Sequence, residues 1–406
     1  MAEPPSPPSS PAAAAPAPAS PWSADFFQLD DLLSDQERAV RARVRRFCDD
    51  RVLPVAAQHW ERAEFPATLL HELAGLQLAG GTISGHGCPG LSPLAVGLAT
   101  AELTRGDGSL NTAFSVHSAL AMASIDMFGA PEQKQRWLPA MARMEQLGAF
   151  ALTEPAHGSD VVLMESTARR EGDSYVLQGH KRWIGNGSIA DVIVVWARDG
   201  ANHLGAFLVE RGTPGLEAEL ITGKVSQRAV LQADLTLREV RVPAANRLAR
   251  ANDFHDLTRV LTDSRCWASW IALGHAMACY ELALAYARQR VQFRKTLIHF
   301  QLVQQKLARM LAEVTSLQLL CWRLSQLMAA GKVTPGMASL AKMQTCLKAR
   351  QVVADARDLL GGNGILLEHH VAKHQADMEG IFTLEGTDHV QALIVGREIT
   401  GQQAFL

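Results

Sequence analysis

The chain has 406 residues, 48% hydrophobic and 20% charged, enough to bury a large core and several subdomains. Its 39 basic and 41 acidic side chains leave a net charge of −2, and no block of one sign offers itself to nucleic acid or anionic lipid. The six cysteines form no CxxC pair and no His/Cys spacing that would close a zinc site, so they read as reduced, mostly buried thiols.

The Pro- and Ala-rich stretch 1–25 has almost no large apolar residues and is predicted to be a disordered tail. The first basic residue of the chain is Arg38, which fits neither a secretory nor a mitochondrial leader. An N-terminal helical domain is expected over 26–148. Ser34 with Glu37 three residues on forms a capping box ahead of Val40, Val44 and Phe47 at helical spacing. Ser92-Pro93 and Pro131 mark two further helix starts.

Over 149–250 the period switches to β-branched runs, at 175–177, 192–196, 206–209 and 235–237, separated by glycine-bearing breaks. With no long helix between them, these strands predict a small antiparallel β domain. From 251 to 406 the pattern is helical again. Long apolar-periodic segments near 257–291, 300–331 and 335–360 predict a bundle, with Thr334-Pro335 as a start signal. The apolar stretch 266–287 is interrupted by Gly274, His275 and Glu281, so a buried helix is expected there and not a membrane span. The fold class is thus α+β: helical domain, β domain, helical bundle.

Five motifs bear on chemistry. The loop from Leu152 to Asp160 gathers a proline, a glycine and hydroxyl side chains, and reads either as a tight turn or as a cradle for a phosphate or ring edge. In Lys181-Arg182-Trp183-Ile184-Gly185-Asn186-Gly187 the tryptophan is either core or neighbour to a planar ligand. Gly361-Gly362-Asn363-Gly364 ends a helix and is either a C-cap or a close approach to a ligand. Glu385, in Leu384-Glu385-Gly386-Thr387, is either a partly desolvated base or a helix-start acid. The basic cluster 288–295 needs no function at a helix C-terminus. No metal site, Ser/His/Asp arrangement or phosphate-binding GxxxxGK[ST] loop is visible.

In this order and spacing the five motifs resemble the acyl-CoA dehydrogenase and oxidase superfamily, from about Phe27 to Phe405. Several stretches, among them Gly87-Cys88-Pro89-Gly90-Leu91 and Thr334-Pro335-Gly336, look most like the plant peroxisomal short-chain acyl-CoA oxidases, with glutaryl-CoA dehydrogenases next. The resemblance implies a helical domain, a β domain and a four-helix bundle, with FAD as cofactor. It also implies oxidation of a short-chain acyl-CoA to the trans-2-enoyl-CoA, electrons going to O2 or, alternatively, to an electron-transferring flavoprotein.

By the same resemblance Glu385 is the base and its N–H a donor to the thioester oxygen, with Gly386 beside the substrate. Ser264 stands where some branches carry the base, and Asp263 is one position off. Phe150, Leu152, Thr153, Trp183 and Gly185 are implied at the flavin ring, and Gly158 and Ser159 in a phosphate-proximal loop. Thr387 and His389 are implied near the cofactor, and Arg265 and Ser159 near the CoA arm. Arg290, Gln292, Phe293, Gln301, Gly361 and Gly362 match groups reaching the FAD of a neighbouring subunit, which implies a homodimer or homotetramer.

This sequence departs from the family pattern at several positions. Gly185 replaces a threonine, which favours an oxidase by leaving room for oxygen. Asn111 replaces the arginine that glutaryl-CoA dehydrogenases use for a distal carboxylate, and an amide cannot supply that charge pairing. Arg294 replaces a glycine, Thr296 a proline, Leu384 a tyrosine and His389 an Asp or Gln. The C-terminal residues are not a Ser-Lys-Leu import tripeptide, so the peroxisomal placement implied by the resemblance has no such signal.

Overall fold

Helix α1 (Asp35–Phe47) begins where the capping box places it. Ser34 Oγ accepts from the Glu37 N–H, and the Glu37 carboxylate accepts from the Ser34 N–H at 2.9 Å, closing two otherwise orphaned donors. The computed structural model describes residues 24–200 and 203–403. The predicted disordered tail lies, up to residue 23, outside the described residues. Next come α2 (Leu53–Arg62), α3 (Ala67–Glu72) and a small hairpin, β1 (Ser84–Gly85) and β2 (Cys88–Pro89). Ser92 caps α4 (Pro93–Gly106) with Pro93 at its first position. Helices α5 (Gly108–Ser115) and α6 (Ala123–Phe128) are joined by a π-helical turn, Val116–Met122, and α7 (Pro131–Ala142) closes the helical region.

The middle sheet has seven strands: β3 (Gly148–Ala151), β4 (Thr167–Glu171), β5 (Ser174–Gly185), β6 (Val192–Arg198), β7 (Leu204–Glu210), β8 (Leu216–Leu220) and β9 (Gln232–Pro243). All four predicted runs fall inside strands. The sheet is antiparallel except around β6, which runs parallel to β3 from Gly148↔Val192 to Ala151↔Val195 and touches β4 in parallel at Thr167↔Arg198. The fully antiparallel expectation is corrected there. A parallel pair needs only a crossover of a dozen or more residues, and the chain through β4 and β5 supplies it without a helix.

The bundle consists of α8 (Phe254–Gln289), α9 (Gln301–Ala329), α10 (Pro335–Leu359), α11 (Val371–Thr383) and α12 (Asp388–Thr400), with the hairpin β10 (Val291–Gln292) and β11 (Lys295–Thr296) after α8. The long apolar stretch is the buried face of α8, where Trp270, Ala276 and Cys279 pack toward α4 and α10. Gly97 lets α4 and α8 approach closely, since a Cβ there would stand 2.2 Å from the Trp270 ring. No described helix is long and apolar enough to cross a membrane. All six thiols are free, five of them buried, and no described cluster of His, Cys, Asp and Glu is arranged to hold a metal.

Candidate active site

Glu385 sits in the turn between α11 and α12, with φ 58°, followed by Gly386 at φ 93°. A non-glycine residue in the left-handed region is held there by its surroundings. Lys342 on α10 donates to the carbonyls of Phe382 at 2.9 Å and Gly386 at 2.8 Å. Gln391 on α12 donates to the carbonyls of Glu385 and Gly386, both at 2.9 Å. Arg265 on α8 reaches the Glu385 carbonyl at 3.4 Å. With its carbonyls fixed from three helices, the turn has one side chain left to aim, and Ser264 Oγ donates to the Glu385 carboxylate at 2.5 Å.

Burial drives the Lys342 ammonium below its ordinary range, against the pull of Cys346, Glu385 and Asp388. The same desolvation lowers Arg265 in spite of Glu385. Arg265, expected near the CoA arm, is 6% exposed and supports the turn from beneath. Thr387 caps α12 through the Val390 N–H, and His389 is exposed on the first turn of that helix.

A second group lies at the ends of β3 and β5. Phe150 and Leu152 are buried, and Thr153 is half-buried and accepts from the Arg182 N–H at 2.8 Å. The buried Lys181 Nζ donates to the Leu152 carbonyl at 3.0 Å and to Glu154 at 2.8 Å, while Glu154 also accepts from the N–H groups of Glu165 and Ser166. This pair pins the 152–160 loop to β5. Burial lowers the Lys181 ammonium to about 8. Gly158 and Ser159 are exposed at the tip of the loop.

Trp183 stands at the bulge in β5, 48% exposed with φ 64°, and the Arg182 guanidinium lies 5.2 Å from its ring centroid. A large aromatic in that backbone region, open to solvent, is a place for a planar ligand to stack. Gly185 does not leave an open space. A Cβ there would lie 2.9 Å from a methyl of Val116, which projects from the π-helical turn. That turn is fixed by the buried His117, whose Nδ1 accepts from the Gly148 N–H at 3.0 Å and whose Nε2 lies 3.0 Å from the Met141 carbonyl.

A cavity of about 70 Å³ is lined by the 80–83 turn, α4, α5, the π-helical turn, α6 and α8. Phe114 and Trp267 form its apolar wall, and Thr100, Ser115, Asp126 and Asp263 bring polar atoms into it. Along the chain it comes within one residue of both groups, since the lining residues Ser115 and Asp263 directly precede Val116 and Ser264. Asn111, expected near the substrate, does not line it; its side chain is fully buried and donates to Thr104 at 2.8 Å.

The remaining predicted residues are not brought to this place. Arg290, Gln292, Phe293 and Gln301 surround the exposed β10–β11 hairpin, and Gly361 and Gly362 lie nearby, where Asn363 donates to the Tyr286 hydroxyl at 2.9 Å. Along α8 they stand about 39 Å from Ser264 at 1.5 Å per residue. The two-residue turn Phe293-Arg294 has φ 49° and 64°, the left-handed pair of a type I′ hairpin that Asn-Gly ordinarily provides.

Local spacing gave no sign of the polar network at the junction of the three regions. Lys373 Nζ pairs with Asp107 at 2.9 Å, both buried, and His275 Nδ1 lies 2.9 Å from His374 Nδ1. Asp377 accepts from Trp60 Nε1 at 2.7 Å and from the Gln227 N–H at 2.6 Å. These contacts lock α11, and with it the Glu385 turn, to α5, α8 and the 226–228 loop. Lys342 was missed for a related reason: it is one polar residue on a helix face, and only its partners reveal what it does, just as the bond of Ser264 to Glu385 could not be read from its place in the motif.

The three parts of the chain match the N-terminal (34–145), middle (149–240) and C-terminal (254–400) domains of acyl-CoA dehydrogenases. The chain belongs to the acyl-CoA dehydrogenase family, flavin-dependent oxidoreductases acting on CH–CH bonds. Among individual proteins, the mitochondrial short-chain specific acyl-CoA dehydrogenase of Bos taurus is 33% identical over 369 residues, covering 89% of this chain and 90% of that protein. Glutaryl-CoA dehydrogenase of Mycobacterium smegmatis superposes with a TM-score of 0.91 at 41% identity, over 94% of this chain and 99% of that one. A second structure from that organism, a glutaryl-CoA dehydrogenase in complex with FADH2, gives 0.92 at 37% identity, over 95% and 100%. A chain in the electron transferring flavoprotein structure of Acidaminococcus fermentans gives 0.88 at 27% identity, over 91% and 99%. These relatives are dehydrogenases or bear on electron transfer, and none of them is the plant oxidase that the sequence resemblance put first.

Proposed function

We propose that the chain is an FAD-dependent short-chain acyl-CoA dehydrogenase that uses Glu385 as its base and hands its electrons to an electron-transferring flavoprotein. The observation that carries this reading is the Glu385 carboxylate, held by Ser264 on a turn clamped from three helices, with a cavity lined by Asp263, the residue before Ser264. An α-C–H next to a thioester is a very weak acid, so the base must be fixed against it and the developing enolate oxygen must meet donors. Glu385 takes the α-proton on its carboxylate. Lys342, Gln391 and Arg265 keep the turn's carbonyls turned away from that side chain, which leaves the Glu385 N–H for the thioester oxygen.

Phe150, Leu152, Thr153, Trp183 and Gly185 fit a flavin ring, on the observation that Trp183 is held solvent-open in a strained backbone beside a glycine. Gly158 and Ser159, exposed on the 152–160 loop, and Thr387 and His389, at the start of α12, are assigned to the same cofactor on this reading. When bound, FAD supplies the acceptor for the β-hydrogen as hydride. The distal group from Arg290 to Gln301 with Gly361 and Gly362 serves the FAD of a second copy, because one chain holds it too far from its own turn.

Two finer points follow from the cavity. The Val116 methyl occupies the space that Gly185 was expected to open for oxygen, so an oxidase loses its structural support. Glutaryl-CoA is disfavoured because the cavity lining contains Asp126 and Asp263 and no Lys or Arg. The test is to mix FAD-loaded protein with short acyl-CoA esters in air, with and without electron-transferring flavoprotein. Flavin bleaching that persists in air and is relieved by the flavoprotein supports the reading, and steady peroxide without it overturns the acceptor.

A further inference from the structure

The cavity that Asp263 lines, one residue before the Ser264 that holds Glu385, is richer in acceptors than a fatty acyl chain needs. Thr100 spends its hydroxyl hydrogen on the Val96 carbonyl at 2.9 Å, and Ser118 accepts from the Gly80 N–H at 2.9 Å. Asp126 is satisfied by Lys134 at 2.8 Å. Asp263 differs from all of these. Asp263 lines the cavity, and among the described residues no hydrogen bond or ion pair at close range serves it. Its nearest opposite charge is Arg259, one turn earlier on α8, whose own close partner is Asp256 at 3.7 Å. Burial pushes the Asp263 carboxyl up to about 6, against the pull of Arg259, so the unpaired group carries a desolvation cost that a ligand donor would relieve.

An apolar cavity for a straight acyl chain would gain from Leu or Val at this place, whereas a carboxylate rejects a methylene terminus and a second carboxylate alike. We propose that the substrate is a short acyl-CoA whose acyl chain carries a hydrogen-bond donor, a hydroxyl or an ammonium, received by Asp263. The inference rests on the acyl-CoA dehydrogenase reading and deepens it. Asp263 is a specificity residue here: it neighbours Ser264 in sequence but takes no part in proton removal. Phe114 and Trp267 cover the chain's methylenes, and the Trp267 ring adds a cation–π surface for an ammonium.

The experiment compares matched pairs, 4-hydroxybutyryl-CoA with butyryl-CoA and 6-aminohexanoyl-CoA with hexanoyl-CoA, by anaerobic flavin reduction in the FAD-loaded parent, Asp263→Asn and Asp263→Leu. The expected result is at least a tenfold preference in kcat/KM for one donor-bearing ester over its plain partner. Asp263→Leu inverts that preference. Asp263→Asn, close to the parent in shape and retaining an acceptor oxygen, keeps a hydroxyl preference but abolishes an ammonium one, which separates the two donors. Equal or better use of the plain esters by the parent overturns the inference while leaving the dehydrogenase reading standing. The same holds if Asp263→Asn, folded and yellow, and Asp263→Leu change both members of each pair by one factor. Bleaching by none of the four esters overturns the dehydrogenase reading and this inference with it.

Discussion

Helix α8 joins two ends of very different character. Near its start, Ser264 and Arg265 are buried and bonded to the Glu385 turn, and the neighbouring polar groups of Lys342 and Gln391 are spent on that turn's carbonyls. Just past its end, Phe293 is 88% exposed and shares a left-handed turn with Arg294, and Val291 and Leu302 are exposed beside it. One end is complete within a single chain. The other shows solvent an apolar, strained surface, which a second copy and its cofactor would cover. On the proposed reading, rigidity is placed where a proton is to be aimed, and exposed apolar surface where a second copy would dock.

The comparison breaks most sharply at the buried network behind the finished end. Lys373→Met removes one member of the buried pair with Asp107 and leaves an uncompensated carboxylate, at a cost of about 3–5 kcal/mol. Thermal melts should show a large drop in Tm, and activity at 25 °C should fall with the folded fraction. Acid should act on the same region. Burial lowers His117 to about 4 and His275 to about 3, below the ordinary 6.5, so both bind a proton more weakly folded than unfolded. Their contribution is fully present above pH 6.5 and is lost as pH falls toward 4, whereas Asp377, raised to about 6 by burial, partly opposes this. Denaturant midpoints at pH 7 and pH 4.5 should therefore differ, with the lower stability at pH 4.5.

At the unfinished end, Phe293→Asp places a charge on the exposed tip. Sedimentation should show loss of the oligomer, and gel filtration should strip FAD from the variant at least tenfold faster than from the parent, while the monomer's Tm stays within a few degrees. Back at the finished end, Ser264→Ala removes one hydrogen bond to the base, about 1.4 kcal/mol or tenfold in kcat, with KM nearly unchanged. Ser264→Thr should restore it, which a purely structural role for the serine would not require. The smallest effect is expected from Arg294→Gly, which relieves a left-handed side chain worth about 1 kcal/mol and should raise Tm slightly.

How much of this was legible in the sequence depends on the range of the interaction. Ser34 with Glu37, Ser92-Pro93 and Thr334-Pro335 mark helix starts through contacts within four residues, and each start is found where it was read. The apolar face of α8 is as local. The parallel pairing of β3 with β6 and the short strands β4 and β8 depend on partners far along the chain, and no run of alternation announces them. Glu385 was singled out through its motif, but the clamp around it was not, since Lys342 and Gln391 each look like one polar residue on a helix. Asn111 shows the converse. Its position in the motif suggested a substrate contact, yet its amide nitrogen donates to Thr104 inside the helical layer.

The central claim, that Glu385 removes the α-proton, is tested most directly by exchange. FAD-loaded protein is incubated anaerobically in D2O with the non-oxidisable analogue 3-thiabutyryl-CoA, and deuterium at the α-carbon is followed by mass spectrometry, in the parent and in Glu385→Gln. The account predicts rapid α-deuteration by the parent and at least a thousandfold loss in Glu385→Gln, with FAD and analogue still bound. Exchange at the parent rate in Glu385→Gln would contradict it and move the base elsewhere in the site.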